Sequence, residues 1–291
     1  MRGEEANKIC FHLLIWLLLG PFGSRRKGRS MLEMATRPMP PTLRSWLAEE
    51  PFTLAMSSGF FGFFAHTGML SALEEAGLLP ERVSGSSAGA LVAGLWAAGL
   101  DSARLDAELG RLRREDFWDP APGLGLLRGR RFRARIEELL PVNDFAACRV
   151  PALLSVFDVL SRSTRVLREG ELAPAIQASC TLPVLFQPTW HQGRPLLDGG
   201  ILDRPGLEGV PSGGRVLHHH LASRSPWRSK RDRSLVPPKR PGLVALVLEG
   251  LPRSGPFHLH EGVRAMEAAR HGARRALDRP VEGGVVSVAT E

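Results

Sequence analysis

The sequence predicts an α/β domain in which a mostly parallel sheet is sandwiched between helices. Two observations carry that expectation. Short apolar runs of strand length recur along the chain, and between them stand longer segments whose apolar residues repeat every three to four positions. Strands that alternate with helices run parallel, because each helix returns the chain to the same end of the sheet, and their near-continuous apolar character fits burial on both faces. The 291 residues suffice for a sizeable core, and 43% hydrophobic with 23% charged residues is the composition of a globular protein, not a disordered one. With no internal repeat, one domain accounts for the pattern better than two.

The elements follow in order. "FTLAMS" (52–57) is a short strand, and "AHTGMLSALEEAGL" (65–78) a helix with Leu70, Leu73 and Ala76 on one face. "RVSG" (82–85) is a brief strand, and "AGALVAGLWAAGL" (88–100), apolar all round, is a buried helix. "DSARLDAELGRLRR" (101–114) is a helix with Asp101 as N-cap and a stripe of Leu105, Leu109 and Leu112. "ALLSVFDV" and "TRVLREG" are strands, "LAPAIQASC" a helix, "RVLHHHLA" and "GLVALVLEG" strands, and "EGVRAMEAARHGARRAL" (261–277) the last long helix. Residues 1–50 are read as an apolar and basic extension with a linker, "RPMPPT", and residues 51–291 as the folded domain.

That extension has three readings. "ICFHLLIWLLLG" (9–20) has the length of a signal-peptide core, shorter than the roughly 20 residues that span a bilayer. Glu4 and Glu5 weaken its amino-terminal charge, and the basic "SRRKGR" behind it favours an uncleaved anchor with a cytosolic flank. Met31 or Met34 as the true start would make it a gene-model extension. Cellular placement, cytoplasmic or peripheral at a membrane, depends on which holds.

The net charge of +8 is local. Between Ser223 and Arg240 seven Lys/Arg face one acid, Asp232. The run is read as a solvated loop or as a peripheral contact with an anionic membrane. It lacks the aromatic interleaving and motifs of nucleic-acid binding, so no nucleic-acid partner is expected. Cys10, Cys148 and Cys180 have no metal-ligand spacing and read as reduced structural thiols. No cofactor and no metal is implied.

Three segments carry chemistry. In "GSSAG", Gly85, Ser87 and Gly89 fit G-x-S-x-G, a strand-to-helix turn that presents its serine, and the register makes Ser86 the variable position. A serine at the start of a helix also meets the positive end of its dipole. In "AMSSGFFGFF", the small residues Ser57, Ser58, Gly59 and Gly62 form a loop able to aim backbone N–H groups at an oxyanion. In "GRPLLDGGILDRP", Asp198 ends a strand and precedes Gly199 and Gly200, so a carboxylate whose pKa partial burial raises can approach Ser87 as a general base.

Together, in that order, "SSGFFG", "GSSAG" and "DGG", with the proline-bearing "ASCTLPVLFQP" (178–188) ahead of the aspartate, resemble the patatin-like phospholipases. The resemblance runs from about Phe52 to Pro205. It implies a three-layer α/β/α hydrolase that cleaves acyl esters of phospholipids or related lipids with a Ser–Asp dyad. Ser87 would be the nucleophile and Asp198 the base, with Ser58, Gly59 and Phe60 around the oxyanion. One departure stands out: Ser57 and Ser58 replace two of the family's loop glycines, and Phe61 its basic residue. Two alternatives stay open. One is an α/β-hydrolase triad completed by His218, His219, His220, His258, His260 or His271. The other is a catalytically impaired lipid-binding member. His66, behind the loop, is read as capping the first helix or lining the site.

Overall fold

The computed structural model describes residues 39–222 and 235–290. The apolar amino-terminal run, Cys10 and the basic residues 223–234, with Trp227, lie outside them. The compact unit begins at Pro40, and residues 43–49, which the sequence reading places in the extension, form a helix. This is α1 (Leu43–Glu49), capped by Thr42, whose hydroxyl accepts the Ser45 N–H, with Leu43 and Leu47 buried. The Leu43 N–H donates to Arg279 O, tying this helix to the far end of the chain.

The elements then alternate as β1 (Phe52–Met56), α2 (Phe63–Glu75), β2 (Arg82–Ser86), α3 (Ala88–Ala97) and α4 (Ser102–Gly110), the last capped by Asp101. A loop with β3 (Gly125–Leu127) and α5 (Arg130–Leu139) leads to β4 (Ala152–Asp158), β5 (Ser163–Leu167) and α6 (Leu172–Ser179). Short strands β6 (Val184–Phe186), β7 (Thr189–His191) and β8 (Arg194–Asp198) precede β9 (Arg215–His220), β10 (Leu243–Glu249), α7 (Leu259–Leu277) and β11 (Val285–Ala289).

The main sheet runs β11-β10-β9-β1-β2-β4-β8-β7, with β5 also on β4. From β11 to β4 every pairing is parallel, and β5, β8 and β7 add an antiparallel margin. The α/β class and the mostly parallel sheet are as the sequence predicts. The two faces are covered unequally. Even-numbered Leu54 and Met56 on β1 and Leu154 and Val156 on β4 join one large core, to which every described helix adds buried side chains. Their odd-numbered neighbours Ala55 and Leu153 join a small second cluster with Val216, Leu243 and Ala245, and Leu207 and Val210 pack on it.

Hydrogen bonds rather than apolar area fix that second cover. Ser84 Oγ donates to Gly206 O at 2.6 Å. The buried Asp203 carboxylate accepts Ser155 Oγ at 2.6 Å and the N–H groups of Leu207 and Glu208 at 3.0 Å. The segment behind Asp198 is thereby pinned across β2 and β4, which holds the candidate base from the other side.

Candidate active site

The register of β4 explains why Ser87 and Asp198 meet. Ser155 pairs with Ser86 of β2, and the next residue, Val156, pairs with Asp198 of β8. Both residues pair with β5 on their other side, so β2 and β8 share one edge of β4. β2 runs parallel to β4 and β8 antiparallel, so the two strands end head to head. Residues 111 positions apart are brought together by one register.

Ser87 is the junction between β2 and α3, with φ 54° and ψ −119°. A non-glycine residue there carries strain on the order of 1–3 kcal/mol, held only because the surroundings over-determine it. Here the two flanking glycines do so. A methyl group at Gly85 would lie 2.4 Å from the carbonyl carbon of Gly89, and one at Gly89 would lie 2.1 Å from Met56 O. The helix therefore rests directly on β2 and β1, and the turn has no room to relax. Ser86 is fully buried and its Oγ has no hydrogen-bond partner among the described residues. Ser87 Oγ instead donates to Asp198 Oδ2 at 2.6 Å.

The backbone of Ser87 is held as firmly. Its N–H donates to Ser179 Oγ at 2.9 Å, whose own proton goes to Ser155 O at 2.7 Å. The Cys180 thiol points at Ser87 O, 3.1 Å away. Burial and the charge of Asp198 push that thiol well above its ordinary pKa, so it stays protonated and is no rival nucleophile. Cys148 and Cys180 are both unpaired, as expected.

Asp198 is itself buried; its Oδ1 accepts the Gly200 N–H at 2.8 Å, and its N–H donates to Thr181 O at 2.9 Å. The two glycines after it serve close passage. A methyl group at Gly199 would lie 2.0 Å from Ser155 O, and one at Gly200 2.2 Å from Ser58 Oγ. Only an unsubstituted turn fits between β4 and the loop after β1.

The loop after β1 is tied down through its own backbone. The Ser58 N–H, read as an oxyanion donor, donates to Arg204 O at 2.7 Å and has no second hydrogen to offer. The Ser57 N–H goes to His219 O at 3.2 Å, and the Ser57 hydroxyl accepts the Leu221 N–H at 2.9 Å. Among the described residues the Gly59 N–H has no such partner. Neither serine has positive φ; the left-handed residue is Phe61, at 54°. The two glycine-to-serine replacements therefore fall where any residue fits, and their hydroxyls fill the loop. Gly59 and Gly62 both abut Leu221, whose carbonyl accepts from the buried Arg204 at 2.5 Å. Arg204 and Ser179 also contribute, and no local sequence signal marks either one.

Residues 54–210, more than half of the chain, match the sequence profile of the patatin-like phospholipases. The chain belongs to that family. The matched span holds all three segments, from the loop after β1 to Asp198. An uncharacterized NTE family protein of Mycobacterium tuberculosis is 32% identical over 170 residues, 57% of this chain and 47% of the relative. Lysophospholipase NTE1 of Scheffersomyces stipitis is 25% identical over 164 residues, 54% of this chain and 11% of the relative. The chain thus spans half or less of the length of these curated relatives. Among solved structures, VipD from Legionella pneumophila superposes with a TM-score of 0.47 at 17% identity, covering 68% of this chain and 50% of its own.

Membership in the patatin-like phospholipases also frames the histidines. None of them shares a hydrogen bond with Ser87 among the described residues. His258, His260 and His271 are exposed. His218 pairs with Ala55 and so faces the smaller cluster, whereas His219 pairs with Met56 and faces the helices. There His219 Nδ1 lies 2.8 Å from Nδ1 of His66 on α2, and His66 Nε2 lies 2.8 Å from Ser57 O. A carbonyl only accepts, so His66 carries its proton on Nε2. Its Nδ1 then accepts, and His219 donates. Burial holds both rings neutral: the His66 pKa falls to about 4, and that of His219 falls well below its usual value. His66 neither caps α2 nor touches the nucleophile; it braces the loop after β1 against β9. No group of three or more His, Cys, Asp or Glu suited to a metal occurs among the described residues.

Proposed function

We propose that the chain is a serine lipid acyl hydrolase that cleaves fatty-acyl ester bonds with Ser87 and Asp198. The observation that carries this reading is the 2.6 Å hydrogen bond from Ser87 Oγ to Asp198 Oδ2, made at a strained elbow on the amino-terminal end of a helix. As Ser87 Oγ attacks the ester carbonyl carbon, its proton passes to Asp198 Oδ2 and the carbonyl electrons move onto oxygen. The Gly59 N–H, in the loop after β1, and the positive end of α3 would stabilise the resulting oxyanion. Collapse of that intermediate breaks the ester bond, and Asp198 returns the proton to the departing alcohol. Water then attacks the acyl-serine, with Asp198 again taking the proton, and the free fatty acid leaves.

A base in direct contact with the nucleophile needs no imidazole between them. That supports a dyad over a triad. The test is a fluorophosphonate probe on the whole chain, read together with turnover of a chromogenic fatty-acyl ester. Labelling and turnover should vanish in Ser87→Ala and persist in Ser86→Ala. Labelling retained in Ser87→Ala would refute the assignment.

A further inference from the structure

Strands β1, β2, β9 and β10 are parallel, so the segments that follow them leave the sheet on the edge where Ser87 stands. On that edge aromatic side chains from three loops meet. Phe60 packs on Phe61 at 4.9 Å between ring centroids, and Phe61 on Phe117 at 5.9 Å. Trp118, next in the chain, packs at 5.8 Å on Phe257 from the loop after β10. Phe257 is 64% exposed, and Ile201 and Leu202, which follow the Asp198 turn in the chain, are 36% and 56% exposed. The segment after Trp118 adds Leu124, 84% exposed. Exposed apolar groups that gather around one site, rather than scatter, mark a surface that is covered in use.

The same rim is cationic. The Arg114 guanidinium lies 5.7 Å from the Trp118 ring and 5.3 Å from the Phe257 ring, so a fixed positive charge stands among the exposed aromatics. Between Arg111 and Arg131 six arginines face three acids. One of those acids, Asp119, already accepts the N–H groups of Gly129, Arg130 and Arg131. Arg114, Arg128 and Arg130 are exposed on this segment.

We propose that this rim docks the mouth of the site onto an anionic lipid surface. Its aromatic rings and leucines enter the boundary between headgroups and acyl chains, and its guanidinium groups meet the phosphates. The combination selects the occupant: apolar groups alone fit any hydrophobic partner, and arginines alone any polyanion. The docking rests on the acyl-hydrolase reading for its purpose, since a lipid ester must leave its layer to reach Ser87, but the binding is measured without hydrolysis.

The experiment uses the full chain carrying Ser87→Ala, co-sedimented with vesicles of phosphatidylcholine alone or mixed with phosphatidylglycerol. Binding to the anionic vesicles is expected, released as salt rises. Phe257→Ser and Leu124→Ser should each weaken it on the order of tenfold, and Arg114→Glu, a two-charge change, by about thirtyfold. With Ser87 restored, the three variants should hydrolyse a soluble short-chain ester as the parent does. Unchanged vesicle affinity in all three, or equal affinity for vesicles with and without phosphatidylglycerol, would overturn the proposal. So would a parallel loss of soluble-ester turnover, which would place these side chains in catalysis. Rim-dependent vesicle binding by a protein that hydrolyses no ester would uphold the docking surface and remove the hydrolase reading instead.

Discussion

Replacing Gly89 by alanine should cost far more activity than a methyl group usually does. Its Cβ would lie 2.1 Å from Met56 O, against backbone that has no side chain to swing away. To reach ordinary contact, α3 must retreat from β1 by roughly 1 Å, in an interior packed without slack. Ser87 stands on the first turn of that helix, whereas Asp198 is fixed to β4, so the retreat opens the 2.6 Å hydrogen bond. A misplacement of this size costs about 10²-fold in rate, and overpacking costs about 1–3 kcal/mol of stability. Gly94→Ala is the control on the same helix, since its methyl group would meet the Ile176 side chain, which can turn aside. The assay is kcat/KM on a soluble ester beside a thermal melt. Gly89→Ala should lose activity by about two orders of magnitude and Gly94→Ala by less than about tenfold. Equal, small losses in both would refute the argument that the glycines set the serine's position.

Two further outcomes follow from the histidines. His66→Asn removes the donor to Ser57 O and unpairs His219; stability should fall by about 1–3 kcal/mol and kcat by roughly tenfold, with KM little changed, as checked by melts and steady-state kinetics. Acid should destabilise the fold in a defined window. Unfolded His66 takes a proton below about pH 6.5, but the folded ring resists until about pH 4, so its contribution is complete above the upper value and lost as pH falls towards the lower. For this buried ring that is about 3 kcal/mol, with His218 and His219 acting in the same direction. Asp158, held at about 2 by Arg194, acts only at lower pH. Melting temperatures measured from pH 7 to pH 4 check the sign; a flat profile would contradict it.

The sequence carried the fold unevenly, for physical reasons. β1, β4 and β10 are buried on both faces and read as largely apolar runs, and α3 and α7 are long enough for their apolar positions to repeat. α1 falls in the segment expected to be an extension, because its seven residues follow the proline-rich linker and its two buried leucines are too few to set a period. α5 gives little signal because six of its ten residues are charged and only Ile136 is fully buried. β3 and β6 have three residues each, below any periodic signal.

At the site, Ser87 and Asp198 were legible because close backbone approach demands glycine beside them, and glycine patterns survive in one dimension. The commitment of the Ser58 N–H was not legible. Its acceptor, Arg204, lies 146 positions away, and nothing local to either residue announces the bond. The His66–His219 pairing is hidden for the same reason: "HHH" reads as one polar cluster until the pleat sends its members to opposite faces.

The most direct test of the central claim is the rate at which Asp198→Asn hydrolyses a long-chain fatty-acyl ester, beside Ser87→Ala and the double variant. Loss of a general base costs on the order of 10²–10⁴-fold, and two residues that act as one unit are not additive. Asp198→Asn should therefore be about as inactive as Ser87→Ala, and the double variant no worse than the poorer of the two. Substantial hydrolysis by Asp198→Asn, with the activity falling instead in one of the histidine variants, would contradict the dyad.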